Sequence, residues 1–149
     1  MTTAIANEVK AQGDHRILLR DISWETYEWF LRELAEQHVR LTYDNGELEL
    51  MSPSSKHEVL KARLRSIVEA AALEFEVDFE PYGSVTCRRK DLAKGLESDE
   101  CYYIRNADKV RDRSLEEEFD FSKEPPPDLA IEIDISKSLL SREKIYAAL

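Results

Sequence analysis

The segment from Asp128 to Ser136, DLAIEIDIS, carries the residues best suited to chemistry. Because side chains of a strand point alternately to its two faces, one face of this segment is apolar and the other presents Glu132 and Asp134. Like charges two residues apart repel each other, more strongly where water is excluded. A cation bound between acids removes this penalty, so the pattern indicates a cation site. The alternative is that these acids lie on a solvent-exposed outer face. For any single acid, this alternative is favoured over a cation site.

Asp99 is the best candidate for a second acid, because it opens the strand-like run 99–104 and strand ends are where a rigid element meets a loop. Mg²⁺ prefers oxygen ligands and commonly takes one or two carboxylates, with water and substrate phosphate completing its shell. We therefore predict a metal site formed by Asp99, Glu132 and the backbone carbonyl of Ile133. Such a metal lowers the pKa of a bound water and stabilises charge on a scissile phosphate.

Local patterns predict the elements that position these acids. Ser23 is a typical helix N-cap before Trp24, and Asn45-Gly46 between two alternating runs predicts a β-hairpin. A long helix is predicted from about Ser55 to Phe75, and SREKIYAAL at the end of the sequence has a helical pattern. The apolar stripe of the long helix predicts a core-facing side; its members are Leu60, Leu64, Ile67, Val68, Ala71 and Phe75.

The charge balance restricts the possible partners. The 149 residues include 21 Lys and Arg against 31 Asp and Glu, which gives a formal net charge of −10. This excludes a protein that coats nucleic acid through bulk positive charge, but it does not exclude a local basic groove. The candidate phosphate contacts are Arg88, Arg89, Lys90 and Lys94. The alternative is that these basic side chains belong to ordinary solvent-exposed charged faces that bind nothing.

Several other classes are disfavoured. The sequence has no run of 18 apolar residues and no basic start followed by an apolar core, so we expect a cytoplasmic protein. Cys87 and Cys101 match no metal spacing and lie in strand-like runs, which is typical of small buried hydrophobes. Trp29 lies off the stripe of its helix, which suits either a subunit contact or a position under a loop.

Four stretches carry a family resemblance: ISWETYEWFLRELAE, VRLTYDNGELELMSPSSKHE, YGSVTCRRKDLAKGLESDECYYI and PPPDLAIEIDISKS. With the closing REKIYAAL they resemble the Uma-type restriction endonucleases of the PD-(D/E)XK nuclease superfamily, in the same order and spacing. The resemblance implies an α/β (α+β) fold with a restriction-endonuclease-like core, in which helices flank a mixed central sheet. It also implies a DNA substrate and Mg²⁺ or Mn²⁺ as the cofactor.

The resemblance assigns roles to individual residues. Asp99 falls on the first family acid, where Ser98 replaces the usual preceding proline, and Glu132 falls on the second. The superfamily lysine would lie at position 134, where this sequence has Asp134, and a lysine of the following helix matches Lys144.

Two further residues are candidates for the site. Glu49 matches a region where superfamily members often add an acid. His57 is expected to project inward, either as a structural hydrogen-bonding residue or as a catalytic base.

The leading hypothesis is a metal-dependent endonuclease that hydrolyses DNA. The alternative is a catalytically silent nuclease fold that binds nucleic acid or protein, and a homodimer is compatible with both. We expect a flexible arm over residues 1–14 and one domain over residues 15–149. Resembling proteins continue beyond the position of Leu149, so this domain is expected to lack the family's C-terminal strand.

Overall fold

A computed structural model describes residues 13–149. Five antiparallel strands form the larger sheet, in the spatial order β1-β3-β2-β6-β5. These strands are β1 (His15–Leu19), β2 (Arg40–Asp44), β3 (Glu47–Ser52), β5 (Thr86–Arg89) and β6 (Lys94–Glu97). A smaller antiparallel sheet has the order β4-β7-β8 and consists of β4 (Glu80–Gly83), β7 (Glu100–Tyr103) and β8 (Leu129–Ile131).

The predicted hairpin and first helix build the core of the larger sheet. Asn45 and Gly46 both have positive φ, 47° and 92°, as the tight turn between β2 and β3 requires. Helix α1 (Trp24–Glu33) begins after Ser23, whose side chain accepts a hydrogen bond from the Thr26 backbone N–H. Its inner face packs on the hairpin in one cluster, formed by Trp24, Tyr27, Leu41, Tyr43 and Leu48.

Gly95 of β6 makes room for this packing. A Cβ atom at that position would clash with the ring and hydroxyl of Tyr27, which is fully buried. Glycine therefore lets α1 lie directly against the sheet.

Helix α2 (Ser55–Glu74) ends one residue before the predicted end. The prediction that its apolar stripe faces the core is largely wrong, because Leu60 and Val68 are half-buried while the other four members are exposed. Ile67 is 64% exposed and Phe75, at the helix end, is 76% exposed. The side that faces the smaller sheet is polar: Arg65 lies 3.8 Å from Glu100, and Tyr102 donates a hydrogen bond to Glu69. Periodicity identifies an apolar side of a helix but does not say that the protein's own body covers it.

Two shorter α-helices follow, α3 (Ala107–Val110) and α4 (Arg142–Ala148). None of the helices within residues 13–149 is both long and apolar enough to cross a membrane. Cys87 and Cys101 are buried and free, as predicted. Trp29 is 48% exposed.

The predicted α+β class is confirmed, with one correction to the sheet. The resemblance implied a single mixed central sheet, whereas the described pairings are all antiparallel and fall into two sheets. Most of the predicted N-terminal arm, residues 1–12, lies outside the described residues. Gly13 and Asp14 are described, and Asp14 is buried.

Candidate functional site

Asp99 directly precedes β7, and its carboxylate is almost completely buried. Its Oδ2 accepts a hydrogen bond from the backbone N–H of Ile133 at 2.8 Å, and its Oδ1 lies 2.9 Å from Nε2 of His57. The backbone bond fixes the segment after β8 beside Asp99. The two predicted acids, Asp99 and Glu132, are therefore held on adjacent strand ends.

His57, in the first turn of α2, has no exposed side-chain surface and lies between two carboxylates. Its Nδ1 is 3.2 Å from Oδ2 of Asp14, opposite the contact with Asp99. Each ring nitrogen of His57 therefore faces a carboxylate oxygen, and the ring donates at least one of the two hydrogen bonds. The inward orientation predicted for His57 is present, and its immediate role is to orient Asp99.

Asp14 is the outer member of this Asp14–His57–Asp99 chain. Burial works to raise the pKa of its carboxyl. The hydrogen bonds from the Ser54 backbone N–H and from His57, the charge of His57, and the bond from the Ile135 N–H outweigh burial and lower the pKa. Asp14 is therefore ionised at neutral pH and also anchors the backbone of the loop after β8.

Glu132 directly follows β8 and is held by helix α4. Its Oε2 accepts a hydrogen bond from Arg142 at 2.6 Å, and its Oε1 accepts one from the Tyr146 hydroxyl. Burial raises the pKa of Glu132 to about 7, and the negative charges of Asp99 and Asp134 add to this. The charge of Arg142 and the bond from Tyr146 act in the opposite direction without overcoming burial.

Asp134, at the position of the superfamily lysine, joins two arginines. Its Oδ1 accepts hydrogen bonds from Arg16 at 2.8 Å and from Arg142. Both guanidinium groups are nearly buried, with side chains 5% and 8% exposed. The positive charge beside Glu132 therefore comes from α4, and an acid at position 134 holds that charge in place.

Glu49 extends the same network from β3. It is 1% exposed and accepts hydrogen bonds from Arg16 at 2.7 Å and from the Ser138 hydroxyl at 3.1 Å. The Leu139 backbone N–H also donates to it. Glu49 thus fixes the loop that connects Glu132 to α4, and no described contact links it directly to Asp99 or Glu132.

Acids outnumber cations in this cluster. The five carboxylates belong to Asp14, Glu49, Asp99, Glu132 and Asp134. The permanent cations are Arg16, Arg142 and Arg40, whose Nε is 3.9 Å from Asp99, and the imidazole of His57 lies among them. Within residues 13–149 no group of three or more His, Cys, Asp or Glu side chains is arranged as a metal site. Asp99 and Glu132 offer carboxylate oxygens, the donor type that a hard divalent cation prefers. In the described structure each of these four oxygens contacts a neighbouring nitrogen atom or hydroxyl group.

The remaining predicted site residues are Lys144, Ile133 and the four basic residues. Lys144 is on the exposed side of α4, and its role stays a prediction. Ile133 offers its N–H to Asp99, and the assignment of its carbonyl as a ligand stays a prediction too. The four predicted phosphate contacts pair with acids: Arg88 with Glu118, Arg89 with Asp91, Lys90 with Glu25, and Lys94 with Asp44.

A cavity of about 540 Å³ opens beside Glu132. Cys87 and Cys101 line it from the sheets, Phe121 from the loop before β8, and Tyr146 from α4. Glu132 therefore borders a space that is large enough to admit water or part of a ligand.

The sequence model of one protein family matches most of the chain. It is Uma2, described as "Putative restriction endonuclease", and the match spans residues 24–146. The chain belongs to the Uma2 family. The predicted family is thus confirmed, and membership points to a nuclease. No curated protein and no solved structure matches the chain.

The matched span of this Uma2 protein contains Asp99, Glu132 and Arg142, whereas Asp14 and Arg16 precede it. Sequence reasoning missed Asp14, Arg16 and Arg142. The replacement of the superfamily lysine by Asp134 was the available signal, because an acid in an acidic cluster requires nearby cations.

The raised pKa of Glu132 predicts a pH-dependent stability in metal-free buffer. Between pH 4.5, which is the ordinary pKa of a Glu side chain, and about pH 7, Glu132 keeps its proton in the folded protein. The unfolded chain has already released that proton in this pH range. The free energy of unfolding should therefore fall as the pH rises through this range, by on the order of 3 kcal/mol. Glu132→Gln removes this titration. The melting temperature of the variant minus that of the wild type should therefore be larger at pH 8 than at pH 5.

Thermal melts across this pH range measure the effect. Glu143→Gln, at an exposed position of α4, is the matched control and should follow the wild type at every pH. A difference between Glu132→Gln and the wild type that stays constant with pH would contradict the prediction.

Proposed function

We propose that this Uma2 protein is a metal-dependent endonuclease that hydrolyses phosphodiester bonds of DNA. The observation that carries the proposal is the pair Asp99 and Glu132 on adjacent strand ends, joined through the bond from the Ile133 N–H, within a cluster that has more acids than cations. Family membership supports a nuclease, and the two-carboxylate donor set suits Mg²⁺ or Mn²⁺.

Each side chain has a distinct part in the proposed reaction. Asp99 and Glu132 would hold the ion, which supplies a water of lowered pKa and neutralises charge on the phosphate. Hydrolysis forms a bond from the water oxygen to phosphorus and breaks the bond from phosphorus to one sugar oxygen, which leaves with a proton. His57 orients Asp99, and Arg142 orients Glu132.

A lysine that assists the water is a separate part of the proposal. Lys144 is the residue that the resemblance assigns to this role, and its exposed position on α4 leaves the flexible side chain free to approach bound DNA. Arg142 is the cation that already contacts the acidic site.

We assign DNA binding to the basic side chains of β5 and of the turn that follows it. The ion pairs of Arg89 and Lys90 lie on the surface, where such pairs contribute little stability. A DNA phosphate can therefore replace the carboxylate partner, and binding should weaken as salt rises.

A catalytically silent binding module is the second candidate function. The specific observation in its favour is Asp134, because the superfamily lysine is absent from the strand segment and Arg142 already pairs with Glu132. Such a protein would bind nucleic acid or a protein partner without cleaving DNA.

Three assays on one wild-type preparation, for DNA cleavage, metal binding and DNA binding, separate the candidates. A nuclease should nick or linearise supercoiled DNA with Mg²⁺ or Mn²⁺, lose this activity in EDTA, and show saturable metal binding by calorimetry. The activity must co-elute with the protein on size exclusion, which excludes a contaminating nuclease. DNA binding without metal binding or cleavage would support the silent module, and absence of all three would overturn the nuclease and any module that binds DNA.

A further inference from the structure

Helix α2 presents apolar side chains to solvent along most of its length. Val59 is 49% exposed near the start of the helix, Ile67 is 64% exposed in its second half, and Leu73 is 71% exposed near its end. The small residue Ala70 is also exposed and lies between Ile67 and Leu73. Ile67, Ala70 and Leu73 are three residues apart in turn, so they are neighbours on the helix surface, and an exposed apolar patch of this kind marks an interaction site.

Four exposed residues form a seam along this outer face, in the order Arg63, Ile67, Ala70 and Glu74. Their spacing of four, three and four residues places them on one side of the helix, and it is the spacing at which helices pack against each other. The seam begins with the basic residue Arg63 and ends with the acidic residue Glu74. The large apolar residue Ile67 and the small apolar residue Ala70 lie between them.

The charges of the seam lack partners in the described structure. Neither Arg63 nor Glu74 makes an ion pair within residues 13–149, whereas Arg65 on the inner side pairs with Glu69 and Glu100. Glu74 is the last residue of α2, where the helix dipole disfavours an acid. A cation supplied by a neighbouring helix would correct this mismatch.

A second copy of α2 in antiparallel orientation supplies that cation. When the two-fold axis passes between Ile67 and Ala70, Arg63 of each copy lies opposite Glu74 of the other. The same alignment places Ile67 of each copy opposite Ala70 of the other, so that a large side chain meets a small one. The seam is therefore complementary to itself in both charge and size, which is the requirement for a two-fold interface.

We propose that the outer face of α2 is a homodimer interface, in which two copies pack their α2 helices antiparallel about a two-fold axis between Ile67 and Ala70. The partner is a second copy of this chain, and the proposal goes beyond the proposed nuclease activity. It also differs from a dimer formed through Trp29, which lies on α1.

The size of the helix predicts a weak dimer. Twenty residues give a helix about 30 Å long and roughly 10 Å wide, which covers well below the ~800 Å² per partner of a standard stable interface. Monomer and dimer should therefore exchange as the protein concentration changes.

Sedimentation equilibrium at several concentrations tests the apolar part of this interface. Ile67→Glu should weaken dimerisation at least about tenfold, because it places a charge at the centre of the contact. The matched control is Leu115→Glu, at a residue that is 85% exposed and lies outside α2, and it should dimerise like the wild type. Since Ile67 is exposed in the monomer, both variants should melt close to the wild type. A wild type that is monomeric at every concentration, or equal effects of the two variants, would overturn the proposal.

A charge exchange tests the antiparallel arrangement. Arg63→Glu alone and Glu74→Arg alone should each weaken the dimer several-fold, since each brings like charges together at two symmetric places. The combined variant Arg63→Glu/Glu74→Arg should recover affinity, because the attractive pairs form again with reversed signs. Arg105→Glu, an exposed reversal outside α2, should have no effect. A combined variant no tighter than the single variants would rule out this arrangement.

Discussion

Replacing Asp99 with Asn should reduce metal-dependent DNA cleavage at least about a thousandfold. The substitution keeps the size of the side chain and removes one of the two proposed carboxylate ligands. Loss of several kcal/mol of metal-assisted transition-state stabilisation corresponds to a rate change of this size. The measurement is the rate of cleavage of supercoiled DNA at saturating Mg²⁺, together with calorimetric metal binding, which should also be lost.

The surroundings of Asp99 make Asp99→Asn an interpretable variant. Its amide oxygen can still accept the bond from the Ile133 N–H, and its amide group can donate to Nε2 of His57 when that ring is neutral and donates from Nδ1 to Asp14. The fold should therefore survive, and a thermal melt checks this.

Glu100→Gln is the matched control for Asp99→Asn. Glu100 is the next residue and is also buried, but its carboxylate lies near Lys61 and Arg65 on the α2 side of the sheet. Its cleavage rate should stay within a fewfold of the wild type. Equal losses in the two variants, or an Asp99→Asn protein that cuts like the parent, would show that Asp99 is not a metal ligand.

Replacing Arg142 with Met should lower the free energy of unfolding by about 3–5 kcal/mol at pH 8. The guanidinium group of Arg142 is nearly buried and pairs with both Glu132 and Asp134, so its removal leaves two carboxylates without this cation. Chemical denaturation monitored by circular dichroism measures the loss.

Two further variants isolate the role of Arg142. Lys144→Met removes a positive charge from the exposed side of the same helix and should change stability by less than about 0.5 kcal/mol. Adding Glu132→Gln to Arg142→Met should recover part of the loss, because one uncompensated acid is then neutral. If Lys144→Met destabilises as strongly as Arg142→Met, the charge network does not stabilise the fold as described.

The parts of the fold with local signals could be predicted from the sequence. Asn45-Gly46 specifies its hairpin because few residue pairs accept positive φ at both positions. Ser23 and Ser54 cap their helices with their own side chains, so both helices begin where the sequence indicates. Asp99 is predicted at a strand end, and the structure places it directly before β7. Glu132 is predicted inside a strand that continues to Ser136, and this is wrong: β8 ends at Ile131, so Glu132 directly follows it beside Asp99.

The orientation of α2 could not be predicted, because it depends on what the helix meets. Glu100 and Tyr102 of β7 present polar groups to this helix, so Arg65 and Glu69 contact the sheet and Ile67 faces outward. The helical spacing of an apolar stripe does not indicate which element packs against it. Only the tertiary structure, or the proposed partner, supplies that information.

The charge network of the site was also beyond sequence reasoning, since its members are far apart in the chain. Arg16 and Asp134 are separated by 118 positions, and Asp14 and His57 by 43. No local motif connects such residues. The resemblance points to Lys144 because a family pattern concerns positions along the chain, whereas the ion pair of Arg142 with Glu132 depends on which side of α4 faces the sheet.

The site combines a residue of β1 with a residue of α4, and this affects how it forms during synthesis. The β2–β3 hairpin needs only local closure and can form in microseconds. The bond of Arg16 to Asp134 joins residues 118 positions apart, and such long-range contacts form slowly and late. The bond of Arg142 to Glu132 is more local, but it requires α4. A nascent chain still lacking α4 therefore has its hairpin but not its acidic cluster. Any cleavage activity should first appear only after α4 has emerged from the ribosome.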